Sequence, residues 1–337
     1  MSDDNENQVS MRRASESLAA VLSVTGNIYS EVDEELHSSV PADDPMWGET
    51  SWWAVTSPDC KLIAWVYVMV RQNLGIASIS VQVWDHEHGP EERNMLYSKK
   101  FVHVPLAKDL TLSNLQIAAP GPNLNIEITE PLCRYRLRYR DESELGMDVT
   151  FEGLTQPLGT GINDKTGHAD QILWCRGEIV VDGRVFDINS PGIRDRSWSQ
   201  RAELPTSTAS EYIWGANDEG LAFLGAGILD ANFNQQACFG FISRDGNVSR
   251  VTESSRVIAE RDIDGSPKRF ELTLQDSHGR SIFARARRLS YAAPPTWAGL
   301  GCWVSLLQWD VDGIVAYGED HEGFANSLWK KLRTGVR

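Results

Sequence analysis

Apolar and polar residues alternate along much of this chain. In SISVQVWD (78–85), Ile79, Val81 and Val83 fall on one face. In CRYRLRYR (133–140), Cys133, Tyr135, Leu137 and Tyr139 share one face, and Arg134, Arg136, Arg138 and Arg140 share the other. A period of two places successive side chains on opposite sides of an extended strand. One apolar and one wet side is the pattern of an antiparallel sheet or barrel wall, so the four arginines read as a solvated exterior. Asp-Gly pairs at 182–183, 245–246, 264–265 and 312–313 separate strand-like runs. Asp-Gly readily adopts the positive φ angles of a two-residue type I′ turn, and EIVVDGRVFDI (178–188) is the clearest predicted hairpin. Helical periodicity is confined to 11–23 and to FANSLWKKL (324–332).

The prediction is therefore an all-β chain of antiparallel meanders. Its 337 residues exceed what one core usually serves, and two barrels or sandwiches account for the length. PLGTGINDKTG (157–167), rich in turn formers, reads as the linker. The expected domains are a flexible acidic segment over 1–27, a first barrel over 28–160, and a second over 161–337 that ends in a short helix.

Charge sharpens this picture. Of the net charge of −15, residues 1–50 carry −9, with eleven acidic and two basic side chains. An acidic chain repels phosphate backbones, which argues against nucleic acid as a partner. The five cysteines are widely spaced with no CxxC, so they read as free buried thiols of a reducing, cytoplasmic protein. The N-terminus lacks the features of a signal peptide, and no apolar run approaches the roughly 20 residues of a membrane helix. Twelve tryptophans point to an aromatic-rich core, and at least three are expected to wall a cavity for a flat or apolar ligand. Oligomeric state is not legible.

Familiar catalytic signatures are missing: no GxSxG, P-loop, HExxH or strand–GxGxxG–helix occurs. His86 and His88 would share a strand face but lack a third ligand, so neither a metal nor a cofactor is expected. What stands out is SPGIRDRSWSQR (190–201). In an extended strand Arg194, Arg196 and Trp198 share one face, and Asp195 and Ser197 the other. An arginine over an indole is a cation–π arrangement. Flanking arginines should lower the Asp195 pKa, which suits it to holding them in place.

These residues carry a resemblance. His168 and Gln171, then Gly177, Ile179, Val181, Asp182 and Gly183, then Gly192, Arg194, Asp195, Arg196, Ser197, Trp198 and Arg201 resemble the C-terminal half of the carotenoid 1,2-hydratase (hydroxyneurosporene synthase)/AttH-like superfamily. DDPMWGETSWWAV (43–55) resembles the N-terminal opening of its uncharacterised bacterial branch, and the likeness spans about 30–325. The resemblance implies two lipocalin-like β-barrels in tandem. It also implies cofactor-free chemistry on large apolar substrates, as in hydratases of isoprenoid double bonds, a phytoalexin hydratase and polyene pericyclases. The hydratase motif H-D-H-N-W places its catalytic tryptophan on Trp198, its second histidine on Arg196 and its first on Arg194. An arginine cannot exchange protons at neutral pH, so the proton donor is expected elsewhere. The family's downstream tyrosine and aspartate have Tyr212, Asp218 and Asp230 as candidates.

The expected function is a cofactor-independent hydratase, isomerase or cyclase acting by acid catalysis on an alkene or carbonyl of a terpenoid, steroid-like or polyene substrate. A non-catalytic carrier of an apolar small molecule is the other reading. Catalysis would use Asp195, Arg196, Trp198, Glu49 and Asp230. Glu49 and Asp230 would be the proton donors, Arg196 would polarise a substrate oxygen, and Trp198 and Trp214 would stabilise a developing cation. Substrate binding would use Trp47, Arg194, Trp214, Tyr212 and His168.

Overall fold

The structure is a computed structural model that describes residues 29–107, 114–118, 122–142, 144–163, 165–201, 209–229, 235–294 and 300–325. The expected helices at 11–23 and 324–332, the acidic segment 1–27 and Asp230 lie wholly or largely outside these residues.

The fold is all-β and lipocalin-like. Among the described residues the chain forms two compact units, one from 29–88 and 93–201 and the other from 89–92 and 209–325. The first unit holds β1 (Trp47–Ser57), β2 (Leu62–Arg71), β3 (Ile76–Trp84), β4 (Tyr97–Pro105), β5 (Asn114–Ala118), β6 (Pro122–Glu130), β7 (Arg134–Asp141), β8 (Leu145–Gly153), β9 (Leu158–Thr160), β10 (Gly167–Val181) and β11 (Arg184–Gln200). They pair in the order β4-β3-β2-β1-β11-β10-β8-β7-β6-β5, with β9 on β10, as one curled antiparallel sheet. The segment 157–167 is not a connection between units, because β9 and the start of β10 pair with each other inside this sheet. β10 and β11, expected at the head of the second barrel, bond to β8 and β1 instead, which carries the first unit to residue 201.

The second unit is a closed barrel of β12 (Ala209–Ala216), β13 (Leu221–Leu229), β14 (Gln235–Arg244), β15 (Asn247–Arg261), β16 (Pro267–Asp276), β17 (Ser281–Ala292), β18 (Leu300–Val311) and β19 (Ile314–Ala325). Each strand pairs with the next, and β19 closes on β12.

Turn chemistry explains the meanders. Asp182-Gly183, Asp245-Gly246 and Asp312-Gly313 have positive φ at both residues, as a type I′ hairpin requires. At Asp264-Gly265 only the glycine does, within a longer loop joining β15 to β16. The arginine row of β7 faces out as expected, with Arg136 on Asp148 at 2.7 Å and Arg134 on Glu152 at 3.1 Å. Tyr135, Leu137 and Tyr139 face in, onto a core that includes Trp53, Val66 and Phe151. All five cysteines are free, but only Cys175 is fully buried. Among the described residues no helix is long and apolar enough to cross a membrane.

Candidate functional site

β11 lies between β1 and β10 and presents a different chemistry on each face. On the core face, Arg194 is opposite Trp53 and Gln171, Arg196 is opposite Ser51 and Ala169, and Trp198 is opposite Glu49 and Gly167. Against this face packs the segment 29–37, which includes a short 3₁₀ turn, Glu31–Glu34. Glu34 takes the Arg194 fork at 2.7 and 2.8 Å. Arg194 Nε donates to Gln171 Oε1 at 2.8 Å, and its guanidinium lies 4.0 Å from the Tyr135 ring centroid. Arg196 donates to Glu49 at 3.2 Å and to the carbonyls of Asp33 and Glu35 at 3.1 and 3.0 Å. His37 stacks on Trp198 at 3.8 Å and donates its backbone N–H to Glu49 at 2.6 Å.

This assembly is closed. Arg194 and Arg196 are 3% exposed, Trp198 and Glu49 1%, and Trp47 0%. Burial works to raise the Glu34 pKa, yet Arg194 beside it holds the carboxylate below its ordinary value. Buried ions paired and hydrogen-bonded in this way are a structural network. Arg194, Arg196, Trp198, Trp47 and Glu49, expected at the substrate, instead tie segment 29–37 to the sheet. Glu49 is committed to Arg196 and His37 rather than poised as a proton donor. Trp214 and Tyr212 belong to the second unit, where Trp214 is fully buried and the Tyr212 ring lies 5.4 Å from His321. Asp218 is exposed in the turn after β12.

Asp195 does not hold the arginines. The two-residue period turns its carboxylate to the opposite face, and Glu34 and Glu49 do that work. On its own face the register forms a lattice. One row across β2, β1, β11 and β10 reads Tyr67, Trp52, Asp195, Asp170; the next reads Met69, Thr50, Ser197, His168. Directly opposed residues have Cβ atoms about 5 Å apart. His168 Nε2 is 2.8 Å from Asp170 Oδ2, and its Nδ1 is 3.8 Å from Asp195 Oδ2. Asp195 Oδ1 is buried with no hydrogen-bond partner among the described residues. Trp52, Trp65 and Trp84 form an edge-to-face series with centroids 5.3 and 5.1 Å apart.

The electrostatics separate Asp195 from a structural ion-pair member. Burial raises its pKa; the facing His168 lowers it in part and Asp170 raises it again, leaving it above the ordinary value. The lowering expected from the flanking arginines is outweighed: Arg196 still lowers the pKa from the other face, but burial is the larger effect. For His168, burial would lower the pKa, but the charge and hydrogen bond of Asp170, with Asp195, lift it from 6.5 to about 9. The His168 and Asp195 side chains remain 20% and 22% exposed. The donor atoms of His168, Asp170 and Asp195 also lie close enough to surround a cation. Both ring nitrogens already face carboxylate oxygens, which is an arrangement around a proton. Asp85, Glu87 and His88 form a second such group; His86 is not in it, and Glu87 and His88 are exposed.

Sequence reasoning missed Asp170, Trp52, Tyr67 and Thr50. The i, i+2 spacing of His168 with Asp170, and of Asp195 with Ser197, was the available signal. A separate concavity of about 730 Å³, lined by Asn125, Arg138, Arg140, Asp148 and Glu178 among others, contains none of these residues.

Comparison with known proteins follows the fold. The family described as "Domain of unknown function (DUF7064)" matches residues 30–329. No curated protein matches the sequence. An AttH-type protein of Nitrosomonas europaea superposes with a TM-score of 0.58 at 16% identity, covering 82% of this chain and 90% of that one. CghA in complex with Sch210972 gives 0.58 at 10% identity, covering 83% and 89%. Kievitone hydratase from Nectria haematococca gives 0.53 at 12% identity, covering 91% and 96%. At these identities the likeness is one of fold.

Proposed function

The chain belongs to the DUF7064 family, and we propose that it is a hydratase-type enzyme in which Asp195 exchanges a proton with a carbon of an apolar substrate. The carrying observation is Asp195 itself: a buried carboxylate oxygen with no hydrogen-bond partner among the described residues, beside Trp52 and facing His168. A general acid–base group works best when its pKa lies near the operating pH, and burial moves a carboxyl in that direction. In hydration, Asp195 gives a proton to one alkene carbon, and the oxygen of water joins the neighbouring carbon. The second proton of that water returns to the carboxylate, so the enzyme ends as it began. In isomerisation the carboxylate takes a proton from a neighbouring carbon instead. His168, oriented by Asp170, stands as a second proton-bearing group beside it. Trp52 and the partly exposed Trp65 supply an apolar wall for the substrate, with the buried Trp84 packed behind them. Side chains and water suffice for the scheme. A fold likeness to an enzyme named as a hydratase supports the reading by analogy.

The test is deuterium incorporation at carbon when the protein meets a panel of terpenoid, steroid and polyene substrates in heavy water. Asp195→Asn should abolish exchange, with the melting temperature within a degree or two of wild type. Substrates that bind without exchanging deuterium would support a carrier instead, and an Asp195→Asn protein that still exchanges would refute the assignment of the acid.

A further inference from the structure

The outward-facing series of β11 runs Asp195, Ser197, Ser199 and then Arg201 just past its end. Arg201 Nη2 donates to Thr50 Oγ1 at 3.3 Å and to Ser197 Oγ, and these two hydroxyls are themselves 2.8 Å apart. Guanidinium has five N–H donors and no acceptor. Arg201 Nε is buried with no hydrogen-bond partner among the described residues, as are Arg196 Nε and Arg256 Nε. Nor does any described carboxylate lie within ion-pairing distance of Arg201, whereas Arg194, Arg196 and Arg256 are each pinned by at least one. Buried donors in native proteins are normally satisfied, so an unspent one on a cation asks for an acceptor. Its field acts on Asp195, His168 and Tyr67, which sets it at the same site. One face thus pairs an unspent donor on Arg201 with an unspent oxygen on Asp195.

We infer that Arg201 anchors an oxygen of the substrate, so that the preferred substrate is a conjugated carbonyl compound rather than a plain hydrocarbon alkene. This rests on the acid–base reading of Asp195. It also moves to Arg201 the oxygen-polarising role that the sequence suggested for Arg196. With the carbonyl oxygen on the guanidinium, water adds to the β-carbon as Asp195 takes one of its protons. A C–O bond forms, the C=C π bond breaks, and the electron pair moves onto the carbonyl oxygen, where Arg201 stabilises the enolate. Asp195 then returns the proton to the α-carbon, and the net change is addition of one water.

Binding of a matched pair tests the anchor apart from turnover. The pair is benzalacetone, an enone, and 1-phenyl-1-butene, the same carbon skeleton without the ketone. Calorimetry on wild type should show the ketone binding about tenfold tighter or more, the order expected of a charge-assisted hydrogen bond. Arg201→Gln should erase that preference while leaving the alkene affinity and the circular dichroism unchanged. Millimolar guanidinium should restore part of the preference to Arg201→Ala. Equal affinity for the two probes in wild type, binding of neither, or a preference that survives in Arg201→Gln overturns the inference. Repeating the pair on Asp195→Asn separates the two ideas: the ketone preference reports the anchor even if deuterium exchange shows the acid to be misassigned.

Discussion

At the scale of the residue, the consequential group is His168. Its folded pKa of about 9 exceeds the ordinary 6.5. A histidine whose pKa rises on folding adds stability that is fully present below the unfolded value and is lost as the pH climbs through the folded one. Wild-type stability should therefore fall between about pH 6.5 and pH 9. Asp195, also raised, loses its own contribution from its ordinary 3.8 upward, so the share of His168 is isolated by its own variant. In His168→Gln, urea midpoints across that window should be flatter than in wild type, and parallel curves would contradict the assignment. The arginines differ in kind. Arg194 and Arg196 occupy positions that the resemblance fills with histidine, and here they serve as permanent cations for Glu34 and Glu49, a role a titrating group fills poorly.

At the scale of the element, β11 divides by alternation into a face of buried ion pairs and the face proposed to carry the chemistry. Close packing of β10 makes room for the ion-paired face. A Cβ on Gly167 would lie 2.1 Å from Trp198 Cζ2, so the indole lies directly over that backbone. Gly167→Ala must displace Trp198 and the His37 ring stacked on it. Overpacking of this kind costs about 1–3 kcal/mol, and a fall in melting temperature with a changed near-ultraviolet dichroism would show it. Gly146→Ala, where nothing lies within 4 Å of the added carbon, is the control and should change little.

At the scale of the whole molecule, each unit encloses its own buried ion network. In the barrel, Arg256 meets Asp320 at 2.8 Å, Glu322 at 2.6 Å and Glu211 at 3.8 Å, and Arg261 reinforces Glu322 at 2.7 Å. Burial raises the Asp320 pKa, while Arg256, followed by Arg261, outweighs burial at Glu322 and holds it low. Removing one partner of a buried ion pair typically costs about 3–5 kcal/mol. Arg256→Met should lower stability by that order. In hydrogen exchange its loss of protection should be confined to β12–β19, whereas that of Glu34→Gln should be confined to the first sheet. Protection lost everywhere in both variants would mean that the units unfold as one.

The sequence by itself determined the strand content, the outward arginines of β7 and three of the four Asp-Gly hairpins. These depend on a two-residue period and on local φ preferences. It also determined that Asp195 and Arg196 face opposite ways, since neighbours in a strand must. Only the tertiary structure decided what stands on either side of that strand. Glu34 reaches Arg194 across 160 residues of chain, Trp52 reaches Asp195 across 143, and neither pairing leaves a trace in spacing or composition. The same register kept β10 and β11 in the first sheet despite the turn-rich 157–167, because strand pairing is settled by partners distant in sequence. The most conspicuous residues of SPGIRDRSWSQR lie in a buried ion network, while Asp195, read from its neighbours as a brace, became the candidate acid once its partners across the sheet were known.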